Sequence, residues 1–153
     1  MMPIWVAVKK QCRQTDISSL VTTVSSCVRM ATLTDLLAQH EGKMLEFKRD
    51  VPSPENIIRT VVAFSDGAGG TIIVGVDDRT RSVHGIPDPT TTEELLANLI
   101  SDRIEPRLVS ELQIVPWRKT CVIALRVYPS SSRPHFVKAA GPEQGAYVRV
   151  GVW

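Results

Sequence analysis

Three patterns of apolar and polar positions follow one another along the chain. Residues 56–66 read NIIRTVVAFSD, and their apolar side chains recur at helical spacing, which predicts a helix with a wide buried face. Residues 71–76, TIIVGV, form a continuous apolar run that is typical of a strand covered on both faces. Across 112–127 apolar residues alternate with polar ones, which predicts further strands.

Other segments complete the predicted set of elements. The alternation in 44–48 predicts a strand whose Glu46 and Lys48 share one face. A short helix is expected from Leu33, and a longer one over 92–104 with Thr91 or Thr92 as its cap. Residues 134–137 and 146–150 are expected to be extended. The fold class is therefore α+β, or mixed α/β, with a central mixed sheet and about three helices.

The glycine-rich turn GAGG separates the helix of 56–66 from the strand of 71–76. Phosphate-binding loops run in the opposite order, from strand to glycines to helix, so that helix N–H groups face the phosphate. We therefore expect Gly67 to end the helix in a left-handed conformation, and Gly69 and Gly70 to allow a tight entry into the strand. ATP binding remains an alternative function, but this turn does not favour it.

Carboxylates are concentrated around the predicted strands. Glu41 precedes the strand that holds Glu46 and Lys48, while Asp77 and Asp78 follow the apolar strand. If the two strands are neighbours, these groups converge at one end of the sheet and could hold Mg²⁺ or Mn²⁺ through oxygen ligands. The alternative is structural: an ion pair on a solvated strand face, and aspartates that form a turn.

Composition and charge describe an ordinary globular chain. The 153 residues are 43% hydrophobic, and the formal net charge of +2 is too small for a generally basic nucleic-acid-binding surface. No apolar run is long enough to span a membrane, and no secretory signal begins the chain, so we expect no membrane partner. Three widely spaced cysteines predict neither a disulfide framework nor a zinc site, which favours a cytoplasmic location.

The domain organisation is predicted from the two ends of the chain. Residues 1–30 lack a clear period, and MATLTDLLAQHEGKMLEF from Met30 reads like a natural start, so 1–30 are expected to be an upstream extension or an arm. The alternative is a short helix packed on the domain. We expect 31–153 to be one domain, truncated at its C-terminus relative to longer proteins.

Several motifs together resemble the Schlafen AlbA-type domain. They are E-x4-E-F-K at 41–48, A-F-S-D-x-x-G-G at 63–70, I-I-V-G-V-D-D at 72–78, I-E-P at 104–106, R-P-H-F at 133–136 and Y-V-R-V-G at 147–151. They occur in order and cover about 33–151. One departure is Asp66, where the family usually has Asn, and this change puts any fine hydrogen-bonding role of the position in question.

The resemblance implies an Alba-like, Schlafen-core-like α/β domain classed as nucleic-acid-binding. In bacteria and archaea such domains begin longer RecG-related proteins and transcriptional regulators. In animal Schlafen proteins a related core carries a metal-dependent RNase centre of three carboxylates. Carried over to this sequence, the metal ligands and catalytic residues would be Glu41, Glu46 and Asp78, with Mg²⁺ or Mn²⁺ as cofactor and Lys48 stabilising developing charge.

Three functions follow as hypotheses. The first is a DNA- or RNA-binding module of a transcriptional-regulator-like protein. Its candidate contacts are Lys48, Arg49, Arg79, Arg81, Arg133, His135, Lys138, Tyr147 and Arg149, with His135 and Tyr147 expected to stack on bases. The second is the metal-dependent endoribonuclease. The third is a regulatory module that binds ATP or forms homo-oligomers through its late strands.

Overall fold

The computed structural model describes residues 32–51 and 53–148. Of these, 32–39 belong to one compact unit and 40–51 and 53–148 to a second. In the first unit, helix α1 spans Leu33–Ala38 and begins with a capping box. The Thr32 hydroxyl accepts from the Asp35 amide, and the Asp35 carboxylate accepts from the Thr32 amide. The expected extension or arm over 1–30 lies outside the described residues.

The second unit contains the remaining elements in the order β1, α2, β2, α3, β3, β4, β5, β6 and α4. Their bounds are Leu45–Lys48, Pro54–Asp66, Gly70–Val74, Pro89–Arg103, Ile104–Glu105, Ser110–Trp117, Thr120–Val127, Phe136–Val137 and Gly141–Gln144. Strands β1, β2, β5 and β4 form a four-stranded sheet in that order, and β3 pairs with β6 in a separate two-stranded sheet. The mixed α/β fold class predicted from the sequence is confirmed.

Strand direction within the large sheet decides which loops meet. Strands β1 and β2 are parallel, and helix α2 forms the crossover between them, as the sequence predicted. Strand β5 is antiparallel to β2, and a two-residue turn joins it to β4. The carboxyl ends of β1 and β2 and the β4–β5 turn therefore lie at the same end of the sheet.

The core confirms that β2 is covered on both faces. Ile72 and Val74 belong to the cluster that α2 and α3 form with one face of the sheet. Ile73 points to the other face and is also buried, with 1% of its surface exposed. Successive side chains of a strand alternate between faces, so burial of consecutive residues means that both faces are covered.

Some local predictions differ from the structure. Helix α3 begins at Pro89 and is capped by Asp88, not by Thr91 or Thr92, because the Asp88 side chain accepts from the Thr91 amide. Residues 146–148 are not in a strand, and the rest of that predicted strand lies outside the described residues.

One further observation concerns the helices. Within 32–51 and 53–148, every helix is too short or too polar to cross a bilayer.

Candidate nucleic-acid interface

The end of the sheet at which β1 and β2 finish brings two sequence segments together. The Lys48 carbonyl accepts from the amides of Gly75 and Val76, at 2.7 and 3.2 Å. The 77–81 turn, which carries Arg79 and Arg81, therefore starts directly beside Lys48 and Arg49. These four cations were predicted as separate candidates, and the parallel pairing of the two strands places them at one end of the sheet.

A cavity of about 190 Å³ opens between these two segments. Its lining combines two cations, two aspartates, two neutral polar residues and two apolar residues. These are Lys48, Arg49, Asp50, Asp78, Ser53, Asn56, Phe47 and Ile57. Lys48 is ion-paired with Glu46, and 31% of its side chain remains exposed. The cavity is therefore polar and of mixed charge, with Lys48 and Arg49 as its positive groups.

The turn after β2 is built around Asp77. Its Oδ1 accepts from the amides of Thr80 and Arg79, at 2.8 and 2.9 Å. These hydrogen bonds, first from Thr80 and then from Arg79, lower the pKa of the Asp77 carboxyl because they stabilise its charged form. Asp77 thus has the turn-forming role that the structural alternative assigned to it, since its carboxylate accepts from the Arg79 amide and its carbonyl accepts from the Arg81 amide.

The Arg81 side chain connects this turn to β1 and to the residue segment before it. It has a positive φ of 58°, and its guanidinium carbon lies 5.9 Å from the centre of the buried Phe47 ring. One of its terminal nitrogens is 2.8 Å from Nδ1 of His40. Arginine can only donate, so His40 Nδ1 accepts. Arg81 is therefore a structural contact as well as a surface cation.

The β4–β5 turn adds two cations that the sequence analysis missed. Arg118 and Lys119 are exposed at its tip, and the Arg118 guanidinium carbon lies 5.7 Å from the centre of the Trp117 ring. The Cys121 carbonyl, next to the tip, accepts from Ile86 in the loop that follows β2. The sequence signal that could have identified them is Trp-Arg-Lys at 117–119, which lies between two segments of alternating apolar and polar residues and therefore indicates a turn with two cations. We call the six cations at this end the strand-end surface: Lys48, Arg49, Arg79, Arg81, Arg118 and Lys119.

Other predicted contacts lie elsewhere. The Arg133 guanidinium donates to the Asp66 carbonyl at the last residue of α2, which is the opposite end of the sheet. Lys138 follows β6 and its amide donates to the Arg103 carbonyl. The Tyr147 ring packs against the core, and Arg59 lies 5.5 Å from its centre. Arg149 lies outside the described residues.

His135 is not available to stack on a base, because none of its surface is exposed. Its Nδ1 lies 2.8 Å from the Pro106 carbonyl, which can only accept, so Nδ1 carries the proton. Its Nε2 lies 2.6 Å from the Ser130 hydroxyl. Its backbone amide donates to Oδ1 of Asp66 at 2.8 Å. An Asn at that position also offers Oδ1, so the family departure at Asp66 keeps this hydrogen bond.

The three predicted metal ligands have separate surroundings. Glu41 Oε1 accepts from the Phe47 amide at 2.7 Å. Glu46 is 9% exposed and lies beside Lys48 and the Thr60 hydroxyl of α2. Asp78 is exposed in the turn. Over 32–51 and 53–148, no three His, Cys, Asp or Glu side chains form a group that could hold a metal ion. The described residues thus do not form the predicted ligand set as one group, and the metal centre stays a prediction.

Comparisons with known proteins agree with this architecture. The family model described as Schlafen, AlbA_2 matches residues 41–152. The N-terminal domain of a protein related to the ATP-dependent DNA helicase RecG, from Nitrosomonas europaea, is 27% identical, with a TM-score of 0.63 over 81% of this chain and 92% of that one.

A second solved structure, the DIP2311 protein from Corynebacterium diphtheriae, is 16% identical, with a TM-score of 0.45 over 63% of this chain and 20% of that one. No curated protein matches. The family match covers well over half of the sequence and includes every element of the large sheet. The chain therefore belongs to the Schlafen AlbA_2 family.

Proposed function

We propose that this domain binds DNA through the strand-end surface. The observation that carries the proposal is the convergence of cations from three segments, 48–49, 79–81 and 118–119, at one end of one sheet. A binding site built from separate loops can follow the phosphates of a duplex, which are repeated along its axis. The small net charge of the chain is compatible with this site because only the local charge faces the ligand.

The charges at this end of the sheet are not all positive, so exposed cations without a nearby carboxylate should contribute most to phosphate binding. Asp50, Asp77 and Asp78 lie among the six cations, and Lys48 is partly neutralised by Glu46. Four of the cations are exposed and have no ion pair within 4.0 Å among the described residues: Arg49, Arg79, Arg118 and Lys119. They are therefore the residues that we expect to contribute most to phosphate binding.

A structural neighbour supports DNA as the ligand. The N. europaea protein is named as related to a DNA helicase, and this chain matches nearly all of its N-terminal domain. A small domain that holds duplex or single-stranded DNA for other activities in the same protein fits this relationship. If the domain contacts only phosphates, it should bind DNA with little preference for base sequence.

Arg49→Ala combined with Arg118→Ala tests the surface. Fluorescence anisotropy with a labelled DNA duplex would be recorded over about 50 to 200 mM salt. We expect the double variant to weaken binding at the lowest salt and to lower the slope of log K against log salt by about 2, one for each lost phosphate contact. A matched single-stranded RNA in the same titration would show whether DNA is preferred.

Arg133→Ala is the matched control, because this exposed arginine lies at the opposite end of the sheet. We expect it to bind DNA like the unmodified chain. Loss of affinity in this control equal to that of the double variant would show that binding uses a different surface. Failure of the unmodified chain to bind at low salt would refute the proposal.

The nuclease remains a hypothesis from the family resemblance. One observation favours it: Lys48 and Asp78 line the same cavity. Against it, Glu41 is hydrogen-bonded to the backbone of β1, and the three carboxylates do not form one group. DNA binding does not require these carboxylates, so it is the function that the geometry supports better.

A further inference from the structure

The outer edge of β1 is closed by residues of the same chain. Among residues 32–51 and 53–148, β1 pairs in the large sheet only with β2, so one side of its backbone faces away from the sheet. The carbonyls of Met44 and Lys48 accept from β2 and the loop after it. Alternate residues of a strand direct their backbone groups to opposite sides, so the amides and carbonyls of Leu45 and Phe47 point outward.

Two of these outward groups are bonded to the segment just before β1. The Leu45 carbonyl accepts from the Gly42 amide at 3.0 Å. The Phe47 amide donates to Oε1 of Glu41 at 2.7 Å, a hydrogen bond to a charged acceptor. His40 precedes these residues and accepts from Arg81. Three consecutive residues, 40–42, are thus each anchored to β1 or to the turn beside it. We call 40–42 the edge cap.

We propose that Glu41 is the latch of this edge cap and prevents β1 from pairing with β1 of a second copy of the chain. Open strand edges are templates for association, and proteins block them with charged residues and local turns. This inference goes beyond DNA binding and does not depend on it. It also gives Glu41 a role different from that of a metal ligand.

The sequence of β1 identifies a second copy as the strand that an open edge would accept. In an antiparallel pair centred on Phe47, the outward amide and carbonyl of each Phe47 bond to those of the other copy. The same register places Glu46 of each copy opposite Lys48 of the other, which are complementary charges. Leu45 then lies opposite Arg49. The backbone directions and the charges therefore agree in one register.

The variants Glu41→Ala and Glu41→Gln distinguish the hydrogen bond that Glu41 accepts from the Phe47 amide from roles that need its negative charge. Gln keeps an oxygen that can accept from the Phe47 amide but has no charge, whereas Ala removes the acceptor. Light scattering after size-exclusion chromatography would be measured over a hundredfold range of protein concentration. We expect the Ala variant to gain mass with concentration relative to the unmodified chain, and the Gln variant to match it.

Hydrogen exchange of the Phe47 amide provides a second readout, which in the unmodified chain and in Glu41→Gln does not depend on the Ala variant folding. We expect this amide to be protected in the unmodified chain and in Glu41→Gln. In Glu41→Ala at low concentration its exchange should be at least about tenfold faster, because a hydrogen bond to a charged group is lost.

Three results would overturn the proposal. They are an unprotected Phe47 amide in the unmodified chain, a folded Glu41→Ala variant whose mass does not change with concentration, or a Gln variant that associates like the Ala variant. DNA binding measured on the Gln variant reports separately on the proposed function, since Glu41 is not part of the strand-end surface.

Discussion

At the scale of single residues, His135 shows how a functional motif can have a structural role. The sequence R-P-H-F suggested an exposed residue that could stack on a base. Instead the imidazole joins two segments, with Nδ1 bonded to the Pro106 carbonyl and Nε2 to the Ser130 hydroxyl. Its amide ties the same loop to the end of α2 through Asp66. Each polar atom of this buried ring has a partner, as buried polar groups require.

His135→Ala should therefore destabilise the fold without acting on the strand-end surface. We expect a loss of about 3 kcal/mol in the free energy of unfolding, because the Pro106 carbonyl loses its partner and a cavity is left in place of a fully buried ring. Urea unfolding measures this loss. The control is His84→Ala, since His84 is exposed and is held through its backbone amide, which donates to the Gly75 carbonyl and is kept in the variant. A similar loss in both variants would contradict the role assigned to His135.

At the scale of elements, the glycine-rich turn is explained by the geometry between α2 and β2. Gly67 does not have the expected left-handed conformation, because its φ is −104°. Gly69 has it instead, with φ of 80°, and its amide donates to the Phe64 carbonyl. Gly70 lies against the Phe64 ring, where a Cβ would be only 2.8 Å from ring carbons. The turn thus contains residues that only glycine fits, without any need for a bound phosphate.

Gly69→Ala should be more damaging than the same change at Gly141. Both positions have a positive φ, which costs an alanine about 1 kcal/mol or more. At Gly69 the new Cβ would also lie 2.8 Å from the Val127 carbonyl oxygen, whereas nothing lies within 4 Å at Gly141. We expect the Gly69 variant to lose at least about 1 kcal/mol more stability in thermal unfolding. Equal losses would mean that the clash is relieved by small shifts.

The sequence predicted which segments form helices and strands better than it predicted which of these elements lie next to each other in the fold. The crossover β1–α2–β2 was predictable because its helix has a clear 3.6-residue period and β2 is continuously apolar. The starts of helices were less certain, since Asp88 is as good a cap as the nearby threonines. The β4–β5 turn was not recognised as part of the candidate site, because its position depends on β5 pairing antiparallel to β2 across almost fifty residues.

At the scale of the whole molecule, charge is organised by the two ends of the sheet. Cations that appear scattered in the sequence divide into the strand-end surface and residues elsewhere, of which Arg133 lies at the opposite end of the sheet. The sequence analysis could list these cations but could not separate them, since composition contains no information about strand order. The same limit applies to the predicted carboxylate ligands, since the hydrogen bond from the Phe47 amide to Glu41 depends on the edge position of β1.

Stability should fall in acid because several turn and cap carboxylates are stabilised by hydrogen bonds. The pKa values of Asp77 and Asp88 are lowered from 3.8, by hydrogen bonds from Thr80 and Arg79 and from Thr91 respectively. A folded pKa below the unfolded value means that stability is complete above about pH 4 and is lost as pH falls through the folded value.

We therefore expect Tm to decrease between about pH 4 and pH 2, and to decrease less in Asp88→Asn, because Asn can cap α3 without titrating. Circular dichroism melts over this range measure the difference. An Asn variant with the same pH dependence as the unmodified chain would show that Asp88 contributes nothing to it.

The mixed direction of the sheet also has a consequence for how the chain folds. The β4–β5 pair closes through two residues, while β1 must find β2 from Leu45 to Thr71, across the whole of α2. Local contacts form faster than distant ones, since less chain entropy is lost in closing a short loop. We expect the hairpin to form first, the β1–α2–β2 crossover next, and the pairing of β2 with β5, across almost fifty residues, last, so that the three segments of the strand-end surface come together only in the final step of folding.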